Sequence, residues 1–241
     1  MSAAAWDEVV PLLVDRFELI VPTAAGHRGG PALTGPATFT GLVDDAERLL
    51  DARGLDAVHV AGNSLGGWMG IELARRGRAR SVCALSPAGF WTPGSPDWAR
   101  PTARIRRVGV LARATAPAAP LIMRSAALRR FGLRDVAVHG DRLTPEQALG
   151  STRDLLACTA ARELLRTGES VAPLDPLPCP VTLAWSERDL IFPPHVHGRT
   201  ARERLPGARY VVLPGVGHVP MVDDPELTAR TIREACTATV S

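Results

Sequence analysis

The chain of 241 residues is 46% apolar and nearly balanced in charge, with 28 basic against 25 acidic residues and a net charge of +3. This excludes a disulfide mini-protein and a disordered chain, and it suits one large globular domain or a domain carrying one insertion. No run of 18 apolar residues occurs, so no membrane-spanning helix is expected. Every basic residue is Arg, which with the abundant Ala, Gly and Pro reads as the coding bias of a GC-rich genome. Aromatics are only 5% of the chain, so the basic, aromatic-interleaved stripe of a nucleic-acid binder is not expected. Cys83, Cys158, Cys179 and Cys236 lie far apart and form no CxxC pair. No metal or cofactor is therefore expected, and a reducing, cytoplasmic compartment is the simplest reading. No secretory leader is visible at the N-terminus.

In chain order, the first strand signal is the apolar run 17–21, ending at Pro22. A helical pattern over 38–53 follows, then a strand over 57–61 running into Gly62. Next come a helix over 65–76 and a strand over 81–85 that runs into Ser86 and Pro87. From about Phe90 to Val171 strand signals stop, and helical pieces alternate with Pro and Gly. The alternation then resumes with strand 181–185, helix 195–205, strand 208–213 and helix 225–237. Strands alternating with helices of this length predict βαβ units and a mostly parallel sheet. The expected organisation is a core over 1–89, a helical insertion over 90–171, and the rest of the core over 172–241. Residues 100–134 hold nine arginines and no acidic residue. The plain reading is a solvated face. The sharper one is an electropositive cap that attracts an anionic substrate or an acidic carrier protein.

The segment Gly62-Asn63-Ser64-Leu65-Gly66 stands between a strand and a helix, which is the context a G-x-S-x-G nucleophile turn requires. A tight turn forces Ser64 into a strained backbone conformation that exposes its hydroxyl, while Gly62 and Gly66 offer no side chain to clash. The following helix directs its positive end at the reacting centre, and the Leu65 N–H can donate to an oxyanion. An ordinary βα turn is the plain alternative. A serine needs a base, and the partners are expected in the order acid, then histidine. Asp189 follows the strand 181–185 and His218 follows the strand 208–213. Ligand groups of parallel sheets collect at the carboxyl ends of strands, so Ser64, Asp189 and His218 should converge. Asp189 would orient the imidazole and His218 would shuttle the proton. Glu187 is a second candidate acid. Asp223 and Asp224 follow His218, the wrong order, and are expected to cap the last helix ahead of Pro225. His195 and His197 lack a third metal ligand near them in sequence and read as a helix start. His59 lies within a strand and reads as packed or hydrogen-bonded.

These pieces resemble the α/β-hydrolase superfamily of serine hydrolases. The resemblance rests on the Ser64 turn, on Trp185-Ser-Glu-Arg-Asp189, and on Gly217-His218-Val-Pro with Asp224-Pro225 behind it. Residues 5–13 resemble the family's helix before its fourth strand, and 17–21 resemble that strand, with Thr23 where an acidic residue is usual. The resemblance implies an α/β-hydrolase fold, a helical cap, and the chemistry of esterases, carrier-protein methyl-ester esterases or carbon–carbon hydrolases. Epoxide hydrolases and haloalkane dehalogenases are disfavoured, because their elbow Asp is Ser64 here. Family members also carry two or three strands ahead of residues 5–13. The last of these ends in a His-Gly loop that supplies a second oxyanion N–H. No His-Gly precedes Trp6, so the first strands and the oxyanion loop are expected to be missing through truncation. A second donor would then have to come from backbone near 2–5. The expected function is a serine hydrolase cleaving an ester, thioester or related acyl bond of a small molecule. A non-catalytic hydrolase-like protein is the alternative.

Overall fold

The computed structural model describes residues 2–238. Apolar and β-branched side chains favour an extended, half-buried backbone in four segments. These are β1 (Val58–Asn63), β2 (Ala79–Leu85), β3 (Val181–Ser186) and β4 (Arg209–Leu213). They form one parallel sheet in the order β1-β2-β3-β4. The register brings their carboxyl ends level: Asn63 lies opposite Leu85, Leu85 opposite Ala184, and Ser186 opposite Leu213. The loops that leave these ends carry Ser64, Asp189 and His218.

Successive side chains of a strand point to opposite faces, and each face here has its own core. Val82 and Ala84 enter one with Leu183 and Trp185. Cys83 and Leu85 enter the other with Ala184 and Leu213. Burial pushes the Cys83 thiol up to about 12, so it packs as a small apolar group. Helices α1 (Phe39–Asp51) and α2 (Leu65–Arg75) cover the first face. The Thr38 hydroxyl starts α1 by accepting from the Gly41 N–H at 3.0 Å. The buried stripe of α1 is Phe39, Leu42, Val43 and Leu50. Phe39 stacks on Trp68 of α2 with ring centroids 3.7 Å apart. Across the other face runs the last helix, Pro225–Thr237, burying Ala229, Ile232 and Ala235.

Between β2 and β3 the chain forms α3 (Pro96–Thr115), α4 (Ala119–Ile122), α5 (Ala126–Leu133), α6 (Pro145–Leu156) and α7 (Ala161–Leu164), with no strand among them. This stretch leaves and returns at one point. The Val171 N–H donates to the Gly89 carbonyl at 2.9 Å. Arg204 of α8 (Arg199–Arg204) donates to the carbonyls of Val171 at 2.6 Å and Trp91 at 2.9 Å. No described helix is long and apolar enough to cross a membrane.

Three sequence expectations fail here. Residues 17–21 join no strand: they do not pair with β1, whose outer edge stays free of any described strand. They are held through side chains instead: Phe17 and Leu19 pack on the second core, and the Phe17 ring meets the His59 ring edge-on at 6.4 Å. Residues 5–13 form no α-helix but two short 3₁₀ turns, Ala3–Trp6 and Val10–Leu12. Pro11 has no N–H to donate and its ring crowds the preceding turn, which leaves i+3 bonds such as Val9 N–H to Trp6 O. The helix expected over 195–205 opens as a π turn at Pro194–Gly198 before α8 begins.

Candidate active site

Ser64 sits at the tip of the β1–α2 turn with φ 55° and ψ −117°. A side chain rarely adopts this region, so the surrounding turn must hold it there. Its N–H donates to the Leu85 carbonyl at 2.9 Å, and its carbonyl accepts from Trp68 and Ala88. Gly62 is needed for space: a Cβ there would stand 2.3 Å from the Gly66 backbone. The same does not hold for Gly66, where a Cβ would meet nothing within 4 Å. The expected role of Gly66 is therefore corrected: its backbone, not its missing side chain, is what crowds Gly62. Leu65 opens α2, so its N–H is among the four that a helix leaves without an internal partner.

Asp189 and His218 come together from loops that follow adjacent strands. The Asp189 Oδ2 lies 2.8 Å from His218 Nδ1. Its Oδ1 accepts from the N–H groups of Ile191 and Phe192, each at 2.8 Å. Asp189 is 2% exposed and His218 6%. Two backbone donors on one oxygen of this buried carboxylate fix its plane and leave the other oxygen aimed at the ring. The Phe192 ring closes over His218 edge-to-face at 5.1 Å. Glu187 points elsewhere: it is exposed and accepts from the Gly215 N–H at 2.7 Å.

Among the described residues no hydrogen bond joins the Ser64 hydroxyl to His218. The two are tied through Asn63, whose side-chain amide donates to the His218 carbonyl at 2.8 Å and to the Leu85 carbonyl at 3.1 Å. The sequence reading passed over Asn63, since the turn pattern places no demand on that side chain.

Asp223 is the second residue missed. The expectation that Asp223 and Asp224 both cap the last helix is half right. Asp224 accepts from the Leu227 N–H at 2.8 Å and is the cap of α10 (Pro225–Thr237). Asp223 ends α9 (Pro220–Asp223), is 3% exposed, and faces the other way. It accepts from Gly217 N–H at 2.6 Å, His139 N–H at 2.6 Å and Val138 N–H at 3.0 Å. It thus fastens the loop of His218 to the segment behind α5. Doublets of Asp before Pro read as caps in sequence, which hid this role.

The remaining candidates separate. His197 is buried with Nδ1 at 3.0 Å from the Phe90 carbonyl, and burial lowers its pKa. His195 is exposed at a cleft of about 430 Å³ lined also by Asp97, Arg100, Arg104 and Arg107. His59 Nδ1 lies 2.8 Å from the Ser81 hydroxyl. No described group of three His, Cys, Asp or Glu side chains is placed to hold a metal. Three of the N–H groups near residues 2–5, expected as a second oxyanion donor, are already engaged: Ser2 donates to Asp154 at 2.9 Å, Ala3 to the Thr23 hydroxyl at 3.0 Å and Ala5 to the Ser2 carbonyl at 3.2 Å.

A parallel sheet with a strained serine between strand and helix, and an Asp–His pair beyond the next strand ends, defines a hydrolase of the α/β type. The profile described as "Alpha/beta hydrolase family" matches residues 1–231, and the chain belongs to that family. One relative, named Epoxide hydrolase EphH, from Mycobacterium tuberculosis, is 36% identical over 208 residues, covering 81% of this chain and 95% of the relative. A solved thermophilic esterase from Thermogutta terrifontis superposes with a TM-score of 0.69 at 24% identity, over 97% of this chain and 85% of the esterase. A Bacillus megaterium epoxide hydrolase superposes at 0.71 with 14% identity, over 99% and 90%. At these identities the two structures speak to the fold.

Proposed function

We propose that this hydrolase is a serine hydrolase cleaving an ester, thioester or related acyl bond through Ser64, His218 and Asp189. The observation that carries the reading is the buried Asp189–His218 pair at 2.8 Å on the same sheet edge as the strained Ser64 turn. In this mechanism His218 takes the Ser64 proton as the hydroxyl oxygen attacks the acyl carbon. Asp189 holds the imidazole in the tautomer with the proton on Nδ1 and stabilises the cation that forms. The Leu65 N–H donates to the tetrahedral oxyanion. The leaving group departs with the proton from His218, and water then releases the acyl group from Ser64 by the same steps in reverse. The stretch 90–171 acts as a cap over a core of 1–89 and 172–241. A cytoplasmic setting belongs to this reading, supported by four free thiols. The stripe Arg100, Arg104 and Arg107 on α3, spaced four and three residues apart, supports an anionic or carrier-bound acyl substrate.

The name of the EphH relative raises an epoxide as substrate. The chemistry of Ser64 argues against it. Opening an epoxide with a hydroxyl leaves an ether, which has no carbonyl for water to attack, so the enzyme would not turn over. A non-catalytic role is the competing reading, favoured by the absent Ser64–His218 hydrogen bond among the described residues. A fluorophosphonate probe separates the two: it should label Ser64, and labelling should vanish in Ser64→Ala. An unlabelled wild type, or labelling that survives in Ser64→Ala, would sink the proposal.

A further inference from the structure

The exposed sides of α3, α4 and α5 combine two features that a water-exposed surface usually keeps apart. Val110, Leu111, Leu121, Leu128 and Phe131 are 67%, 56%, 71%, 47% and 64% exposed. In sequence residues 100–134 hold nine arginines and no acid, and of these Arg113, Arg124, Arg130 and Arg134 are exposed, while Arg129 is buried and Arg100, Arg104 and Arg107 line the cleft beside His195. The orientation of α5 follows from Arg129, which is 8% exposed and donates to the Met123 carbonyl at 2.7 Å and the Arg124 carbonyl at 3.2 Å. This draws the start of α5 onto the end of α4 and sets its inward side. With about 100° between successive residues, Leu128, Phe131, Arg130 and Arg134 then fall on the outward half. The Arg134 guanidinium lies 4.0 Å over the Phe131 ring.

We propose that this face docks on an anionic lipid surface. A second copy is disfavoured as the occupant, because Asp135 and Asp141 offset only Arg107 and Arg130, and two faces that each keep an excess of arginine would repel one another. A folded protein partner presents fixed knobs and holes, whereas the five apolar side chains protrude and line neither of the clefts beside His195. A fluid interface takes protruding apolar tips and holds guanidinium groups at headgroup level. The position is also suited to delivery of an apolar substrate. Just behind α5, the Val136 carbonyl accepts from the Val219 N–H at 2.9 Å, and Val138 and His139 donate to Asp223. A docked α5 therefore sits a few residues from the loop of His218. The docking does not depend on the triad reading, and its test uses no turnover.

The test is sedimentation of the full chain with phosphatidylglycerol vesicles and with phosphatidylcholine vesicles, alongside polyglutamate as an acidic polymer without an apolar phase. The wild type should sediment with phosphatidylglycerol and not with phosphatidylcholine. Arg113→Gln with Arg124→Gln, neither of which is ion-paired among the described residues, should weaken this by about fivefold per arginine. Leu121→Glu with Phe131→Glu should abolish it while the melting temperature stays unchanged, since both side chains are exposed. No sedimentation of the wild type with phosphatidylglycerol overturns the proposal. So does equal sedimentation of both double variants. Binding to polyglutamate that ignores the Glu substitutions overturns it in favour of an acidic protein, and a dimer that these substitutions dissolve overturns it in favour of a second copy.

Discussion

Replacing Asp223 by Ala is the sharpest probe of how the site is held. The change removes the acceptor of three N–H groups, the buried one of Gly217 and the half-buried ones of His139 and Val138. A buried donor left without a partner costs about 1–3 kcal/mol. Water entering the vacated space would satisfy part of the loss, so the low end applies, for a total of about 3 kcal/mol. In a chain of this size each kcal/mol moves Tm by about 2–4 °C, so Tm should fall by about 6–12 °C. Asp224→Ala loses a single helix cap, worth about 1 kcal/mol and so about 2–4 °C. The two variants also differ in activity. Gly217 precedes His218, and freeing its N–H lets the imidazole drift. Turnover of a p-nitrophenyl ester should then fall by about tenfold to a hundredfold in Asp223→Ala, the scale of a misplacement approaching 1 Å, while KM changes little. Asp224→Ala should keep its kcat. Thermal melts by circular dichroism and steady-state rates decide the matter. Equal Tm shifts in the two variants, or an Asp223→Ala protein within about 2 °C of wild type, would refute the clamp.

Asp189→Asn should lower kcat by about 10⁴ through the wrong imidazole tautomer, whereas the exposed Glu187→Gln should leave it nearly unchanged; a reversed order in steady-state assays would move the acid role to Glu187. Gly62→Ala forces a Cβ to 2.3 Å from the Gly66 backbone and should cost about 1–3 kcal/mol, while Gly66→Ala should be neutral or stabilising. Urea midpoints give the ranking, and a Gly66→Ala protein that is the weaker of the two would contradict the packing of the turn. Burial alone would raise the Asp154 pKa, but hydrogen bonds from Ser2 and Arg28 outweigh it and lower it. A folded pKa below the unfolded one adds stability that is present above about pH 4 and lost as pH falls through the folded value. The wild type should thus lose more stability than Asp154→Asn on acidification from pH 6 toward about pH 3, and parallel curves would show that this tie contributes nothing.

Much of the fold was legible in the residues because it follows from local chemistry. Short apolar runs mark β2 and β3 within two residues, and the Thr38 and Asp224 caps mark the starts of α1 and α10. The spacing Gly62-x-Ser64 between strand and helix marks the strained turn, and the chain order of Asp189 and His218 follows from parallel strands whose carboxyl ends share one edge. Tertiary structure decided the rest. Residues 17–21 have strand-like composition, yet a strand exists only where two segments come within ladder distance, and this one does not pair with the free edge of β1. Pro11 overrode the helical pattern of 5–13. Asp223 and Asp224 are alike in sequence but face opposite ways. One bonds three residues on in its own helix, while the other reaches Val138, 85 residues away. Asn63 reaches His218 across 155 residues. Local conformation follows from each residue's own backbone preference and its near neighbours. A buried polar group must find whatever partner the packed chain brings within about 3 Å, and only the assembled sheet determines which partner that is.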